Sequence, residues 1–146
     1  MKLNIKNETG KLKSVVLGQP KSMGPIPTLE ESYDAKSYHS IEHNIYPKEE
    51  DIISEVSAFE AVLKKYDVEV LRPAIIKDYN QVFARDVAFV IEDKMIISNV
   101  IKDREDEQEA YRKIFEKVEW RKIINLPETA HIEGGEVSGT VDELIR

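Results

Sequence analysis

The sequence has no cysteine. That excludes disulfides, thiolate metal sites and thiol nucleophiles from the chemistry of this chain. Histidine is scarce: His39, His43 and His131 are the three present. His39 and His43 stand four apart, a spacing that can bind metal on a helix. Their neighbours Tyr38, Ser40, Ile41 and Asn44 give no clear helix and no third ligand, so the expectation is a surface loop without metal. No basic block is present, and the formal net charge is −7. An acidic chain offers no phosphate-neutralising patch, which argues against nucleic acid; it draws cationic small molecules modestly. The opening MKLNIKNETGK lacks the apolar segment of a signal peptide. No apolar run approaches membrane-spanning length. The expected location is the cytoplasm, and 146 residues suit one domain.

What is present gathers around residues 81–99, QVFARDVAFVIEDKMIISN. Two apolar runs, residues 82–83 with 87–91 and residues 95–97, flank Glu92-Asp93-Lys94. The pattern predicts strand, tight polar turn, strand. Arg85-Asp86 interrupts the first run. A charged pair inside a buried strand is costly unless paired or put to use. Three readings stand: Asp86 lies in water at a strand mouth, makes a structural ion pair with Arg85 or a neighbour, or is a ligand-binding carboxylate.

Along the rest of the chain, KSVVLG (residues 13–18) predicts a short buried strand ending at a glycine turn. Residues 19–27 hold Pro20, Gly24, Pro25 and Pro27 and read as a loop. Residues 29–46 are polar and tyrosine-rich without period, a long loop of the kind that can serve as a lid. Pro47 can open a helix whose first turn carries Glu49, Glu50 and Asp51. Ile52, Val56, Phe59, Leu63 and Tyr66 then share one helical face. Residues 68–71 form a strand stopped by Pro73. After the hairpin, a helix is expected over residues 103–119, with Asp103 as N-cap and Ala110, Ile114, Phe115 and Val118 as its apolar stripe. Residues 122–126 form the next strand, stopped by Pro127.

These passages repeat. Tyr66 and Trp120 follow their helices, Pro73 and Pro127 follow the next strands, and both pairs are 54 positions apart. With the hairpin included, the unit is strand-strand-helix-strand. Such repetition suggests pseudosymmetry around an axis, as in propeller blades. An acidic motif follows each unit: Arg85-Asp86, then Glu133-Gly134-Gly135-Glu136. In a pseudosymmetric array equivalent loops converge, so both acids can line one cavity. A carboxylate facing a guanidinium makes two parallel charge-assisted hydrogen bonds. A cavity with two carboxylates therefore suits a guanidino compound such as arginine. Arg104 can bind that ligand's own carboxylate, or cap the helix surface beside Glu107.

Phe83-Ala84-Arg85-Asp86, Arg104 with Glu107, and Ile132-Glu133-Gly134-Gly135 resemble the motifs of the guanidino-group-modifying enzymes. That family holds the amidinotransferases, arginine deiminases and dimethylarginine dimethylaminohydrolases. The opening NETGKLKSVVLGQP is similar to their first strand, and the resemblance runs over residues 12–137. It implies an α+β fold, the pentein: an α/β-propeller of five strand-strand-helix-strand modules. It also implies a cysteine that attacks the guanidinium carbon to form a thiouronium intermediate, with a histidine as general acid and base. Asp86, with Arg85 beside it, matches the group that holds the guanidinium, and Arg104 the arginine that grips the substrate carboxylate. Glu133 matches the acid that orients the histidine. No cofactor is implied. Water as second nucleophile gives hydrolysis; an amine gives amidino transfer.

The chain also departs from that pattern. Glu136 stands where the family usually has aspartate, and Val137-Ser138-Gly139-Thr140 where an apolar strand should follow. The family's histidine and cysteine come later, in longer chains, and His131 precedes the acidic motif. The expectation is therefore one domain, residues 1–146, forming a partial pentein without its C-terminal modules. It is the N-terminal part of such an enzyme, inactive alone, with open strand edges that invite self-association. The alternatives are a non-catalytic pentein-like module that binds a guanidino ligand or a protein partner, and a small unrelated α/β domain.

Overall fold

The computed structural model describes every residue except Glu8, Tyr33, Asp34, Ile101, His131 and residues 133–146; the Asp103 side chain is likewise outside the description. The first strand, β1 (Ser14–Val16), pairs in parallel with β2 (Glu69–Leu71), Val15 opposite Val70. Parallel neighbours need a long crossover, commonly helical. Here it contains α1 (Ala35–Glu42) and α2 (Glu49–Lys65).

The expected loop at residues 29–46 thus contains a helix. α1 buries none of its residues. It is short and buries nothing, so its few apolar residues make too brief a pattern for sequence reading to separate from a loop. His39 lies on α1 rather than in a loop and His43 in the turn just past its end; both are exposed, with their rings stacked at 4.1 Å.

α2 begins where Pro47 and the acids of its first turn lead one to expect, and it ends on Lys64 and Lys65. Its stripe is narrower than predicted. Leu63 is its buried residue and Ile52 and Val56 are half-buried, while Phe59 and Tyr66 are exposed. Helical spacing identifies a common face, but the two-stranded sheet beneath α2 is too small to cover all of it.

The central stretch differs from expectation at its start. Residues 82–83 do not join a strand. They lead into one helical turn, α3 (Ala84–Val87), followed directly by β3 (Ala88–Ile91). The Arg85-Asp86 pair therefore sits on a turn at the mouth of the strand, and no charge has to be buried inside the sheet. β3 turns through Glu92, at φ 52°, into β4 (Lys94–Ile97) with antiparallel pairing.

Residues 103–119 are not one helix. A 3₁₀ turn (Lys102–Arg104), α4 (Asp106–Ala110) and α5 (Arg112–Phe115) follow in succession, broken at Tyr111. The apolar stripe is as predicted: Ala110, Ile114 and Val118 are buried and Phe115 is half-buried. β5 (Ile123–Asn125) then pairs in parallel with β4, giving the order β3-β4-β5. Strand-strand-helix-strand is thus realised over β3, β4, α4–α5 and β5. The repeat seen in the sequence is not confirmed: the earlier passage forms a two-stranded sheet where the later one has three strands. Tyr66 and Trp120 are both exposed, but Pro73 is buried and Pro127 is not. Among the described residues the two sheets are separate, and no propeller closes.

Among the described residues, a shared core and backbone hydrogen bonds carry the first sheet to the second. Val87, Ala110, Tyr111 and Ile114 form a core against which Val16, Leu71 and Ile76 pack. Backbone stitching adds to it: Gln19 N–H donates to the Gln81 carbonyl at 2.8 Å, and the buried Gln81 side chain bonds Ile76 N–H and the Ala74 carbonyl. Gly18 makes this approach possible, because a Cβ there would lie 2.0 Å from the Val82 oxygen. The strand end Leu17-Gly18-Gln19 is thereby fixed against the residues that lead into Asp86. On the other face of the second sheet, Phe89, Ile91 and Ile96 pack with Ile124, Leu126 and Ile132.

Candidate functional site

Asp86 reaches the site because α3 lifts it off the sheet just before β3. Arg104 arrives from the 3₁₀ turn after β4, and Glu107 from the first turn of α4, three residues on. Arg104 and Glu107 share a face because residues three apart on helical backbone are neighbours. The Glu107 carboxylate accepts two hydrogen bonds from Arg104: Nε to Oε1 at 2.6 Å and Nη2 to Oε2 at 3.1 Å. The remaining terminal nitrogen, Nη1, donates to Asp86 Oδ2 at 2.8 Å. The side chains are 18% exposed for Asp86, 13% for Arg104 and 0% for Glu107. One guanidinium is thus held by two carboxylates, one sealed and one at the rim.

The electrostatics follow from that burial. Removing its carboxylate from water pushes the Glu107 pKa up, and the opposing pull of Arg104 does not cancel this. Burial pulls the Arg104 pKa down, but its hydrogen bonds to Glu107 and Asp86 outweigh this and the net shift is upward. The cation is permanent. Burial also pushes the Tyr111 phenol up, with the Glu107 charge acting in the same direction. Among the described residues, the Tyr111 hydroxyl and Ser98 Oγ have no hydrogen-bond partner. Gln108, one residue beyond Glu107, donates to the Ser98 carbonyl at 2.7 Å and ties α4 to the end of β4.

Of the residues singled out in the sequence, Asp86 and Arg104 are brought into contact across 18 positions of chain. Of the three readings of Asp86, the ion pair with a neighbour is realised, and the neighbour is Arg104 rather than Arg85. Arg85 lies on the same turn as Asp86 and is exposed. Glu133 and the rest of its acidic motif lie outside the described residues. Glu107 has more weight than its sequence suggests. Its spacing from Arg104 is legible, whereas its complete burial is not, because that requires the packing of α4 against the core. No group of three or more metal-ligating side chains occurs among the described residues. Nor is any helix among them long and apolar enough to cross a membrane.

A separate groove of about 460 Å³ lies between residues 23–27, residues 46–49 at the start of α2, and Asn80. Asp86, Arg104 and Glu107 do not line it.

No family model and no curated protein matches the sequence. Solved structures do match the fold. SxtG, an amidinotransferase from Microseira wollei in the saxitoxin biosynthetic pathway, superposes with a TM-score of 0.64 at 20% identity, over 86% of this chain and 43% of that one. A dimethylarginine dimethylaminohydrolase variant, solved as an adduct with S-methyl-L-thiocitrulline, gives a TM-score of 0.61 at 14% identity, over 90% of this chain and 48% of that one. A mutant of AgrE in complex with L-arginine gives 0.62 at 17% identity, over 84% of this chain and 17% of that one. The chain spans less than half the length of each. At these identities the likeness is one of fold: the architecture is that found in the guanidino-modifying enzymes.

Proposed function

We propose that this chain is the N-terminal portion of an enzyme acting on the guanidino group of arginine or an arginine derivative, and that it carries the ligand-recognition part of the site. Asp86 takes the guanidinium, with Arg85 at the same rim. Arg104 takes the ligand carboxylate. Glu133 orients a histidine that lies outside this chain. The observation that supports the reading best is the Asp86–Arg104 contact at 2.8 Å in a fold shared with amidinotransferases and a dimethylarginine hydrolase. A carboxylate and a guanidinium side by side at a partly open rim are complementary to the two ends of an amino acid that carries a guanidino group.

The covalent step of such chemistry needs a thiolate to attack the guanidinium carbon, and the sequence has no cysteine. Turnover through a thiouronium intermediate therefore requires a thiol and a histidine supplied by other polypeptide. Whether water or an amine then resolves the intermediate is decided there as well. The absence of cysteine also favours a second reading, a module that binds a guanidino ligand or a protein partner and does no chemistry.

Titration of the purified chain with L-arginine, followed by nuclear magnetic resonance, tests the shared core of both readings. Saturable binding is expected, and Asp86→Ala should abolish it. Unchanged binding in that variant removes Asp86 from the role of ligand carboxylate. No citrulline or ornithine should form with the chain alone; if either does, the need for an outside nucleophile is wrong.

A further inference from the structure

We propose that α2 carries an interaction surface for a second copy of this chain, whose own α2 lies antiparallel to it about a two-fold axis near Ala58. The inner face of α2 is occupied: Leu63 is buried and Glu60 is held by Arg72. A second apolar stripe lies beside that face and looks into solvent. Phe59 and Val62 are each 52% exposed and Tyr66 is 68% exposed. Their spacings of three and four put them along one side of the helix. Single exposed apolar residues are ordinary on a protein surface. These three are contiguous, and they form a patch on the order of 300 Å², the scale at which such a patch marks an interaction site.

The charges along the same side say which partner fits. Asp51, Glu55, Ala58, Val62 and Lys65 follow one another at spacings of four and three, and all are exposed. Asp51 and Lys65 stand seven positions to either side of Ala58. Among the described residues neither makes an ion pair within the chain; Glu60 takes the neighbouring Lys64 instead. A two-fold axis at Ala58 sets Asp51 of each copy beside Lys65 of the other. Two ion pairs then form at once, as a self-complementary contact requires. Parallel pairing would set acid against acid and lysine against lysine. The antiparallel arrangement also places the acidic first turn of one helix beside the two lysines that end the other, and it opposes the helix dipoles. Ala58 at the axis has no bulk to hold the helices apart, so Phe59 of the two copies meets close to it, with Val62 flanking. A partner of one charge sign satisfies one end of this line; a second copy satisfies both. The net charge of −7 on each copy works against pairing. With a patch below the standard interface size, the expected dimer is weak and reversible, with a Kd on the order of 100 μM.

The inference is independent of what the site around Asp86 binds. Its test is sedimentation equilibrium of the unmodified chain from about 10 μM to about 1 mM, where a monomer–dimer equilibrium is expected. Asp51→Lys and Lys65→Glu each turn both cross pairs into repulsions, so each alone should weaken the dimer about tenfold. An equimolar mixture of these two variants should restore it, because the new lysine of one chain then faces the new glutamate of the other. Phe59→Ser should also weaken the dimer by about tenfold or more, through lost apolar contact. All three positions are exposed, so circular dichroism should show the fold unchanged. A chain that stays monomeric to about 1 mM overturns the proposal and leaves this face to some other partner. Association that all three variants leave unchanged runs through another surface, such as the open sheet edges, and overturns it too. So does a mixture that fails to regain what the single charge variants lost.

Discussion

Arg72 and Arg104 are both held between two acceptors, and they do different things. Arg72 donates to the Gly18 carbonyl and, at 2.5 Å, to Glu60, which also pairs with Lys64 at 2.6 Å. This node pins α2 to the ends of β1 and β2. The Arg72 and Glu60 side chains are both close to a quarter exposed, and hydrogen bonds from Arg72 and then Lys64 hold the Glu60 carboxyl below its ordinary range. At Arg104 the principal partner is sealed, and burial pushes Glu107 above its ordinary range in spite of two hydrogen bonds. The same pair of residue types therefore gives opposite shifts, because desolvation outweighs pairing only where the carboxylate has left water. The first node is a brace. The second holds a permanent cation between one sealed carboxylate and one at the rim.

Substitutions should separate the two nodes most widely. Arg104→Ala strands Glu107 as an unpaired carboxylate with no exposure, and it should cost about 3–5 kcal/mol, measured by urea denaturation. For a domain of this size that is a large share of the total stability. Arg72→Ala frees the Glu60 carboxylate, which water can reach, together with one neutral carbonyl on buried Gly18, so its cost should be smaller, about 1–2 kcal/mol. A loss at Arg72 equal to that at Arg104 would remove the distinction between brace and sealed site.

The pH dependence of stability should run in opposite directions at the two nodes. Glu60 has a depressed folded pKa, so its contribution is present above 4.5 and is lost as pH falls through the folded value. Glu107 has a raised folded pKa, so its contribution is fully present below 4.5 and is lost as pH rises through the folded value. Melting temperatures followed across this acid range should show Glu60→Gln removing part of the loss on acidification. Glu107→Gln should remove part of the loss as pH rises. Smallest of all, Lys64→Ala should change stability by about 0.3–0.5 kcal/mol and lose even that in high salt, as an exposed pair spaced four apart does. A larger effect would make Lys64 a third structural partner of the brace.

Much of this layout can be read from the residues, and what cannot has physical causes. β1, β2, β4 and β5, the start and end of α2, and the apolar stripe from Ala110 to Val118 follow from period, caps and punctuation. α1 is invisible because it buries nothing. The break at Tyr111 and the turn at residues 84–87 are set by packing around Val87 and Tyr111, which no local pattern encodes. At the site, the spacing of Arg104 and Glu107 announces their contact. The meeting of Arg104 with Asp86 does not, because it depends on how α3 and the 3₁₀ turn sit at the same end of the hairpin.

The most direct test watches both arginines at once. With nitrogen-15-labelled protein and unlabelled L-arginine, the side-chain resonances of Arg104 and Arg72 can be followed through a titration. The account predicts that the Arg104 signals move and saturate as its guanidinium takes up the ligand carboxylate, while those of Arg72 stay where they are. Arg104 signals that remain still at saturating ligand, or that move no more than those of Arg72, would contradict it.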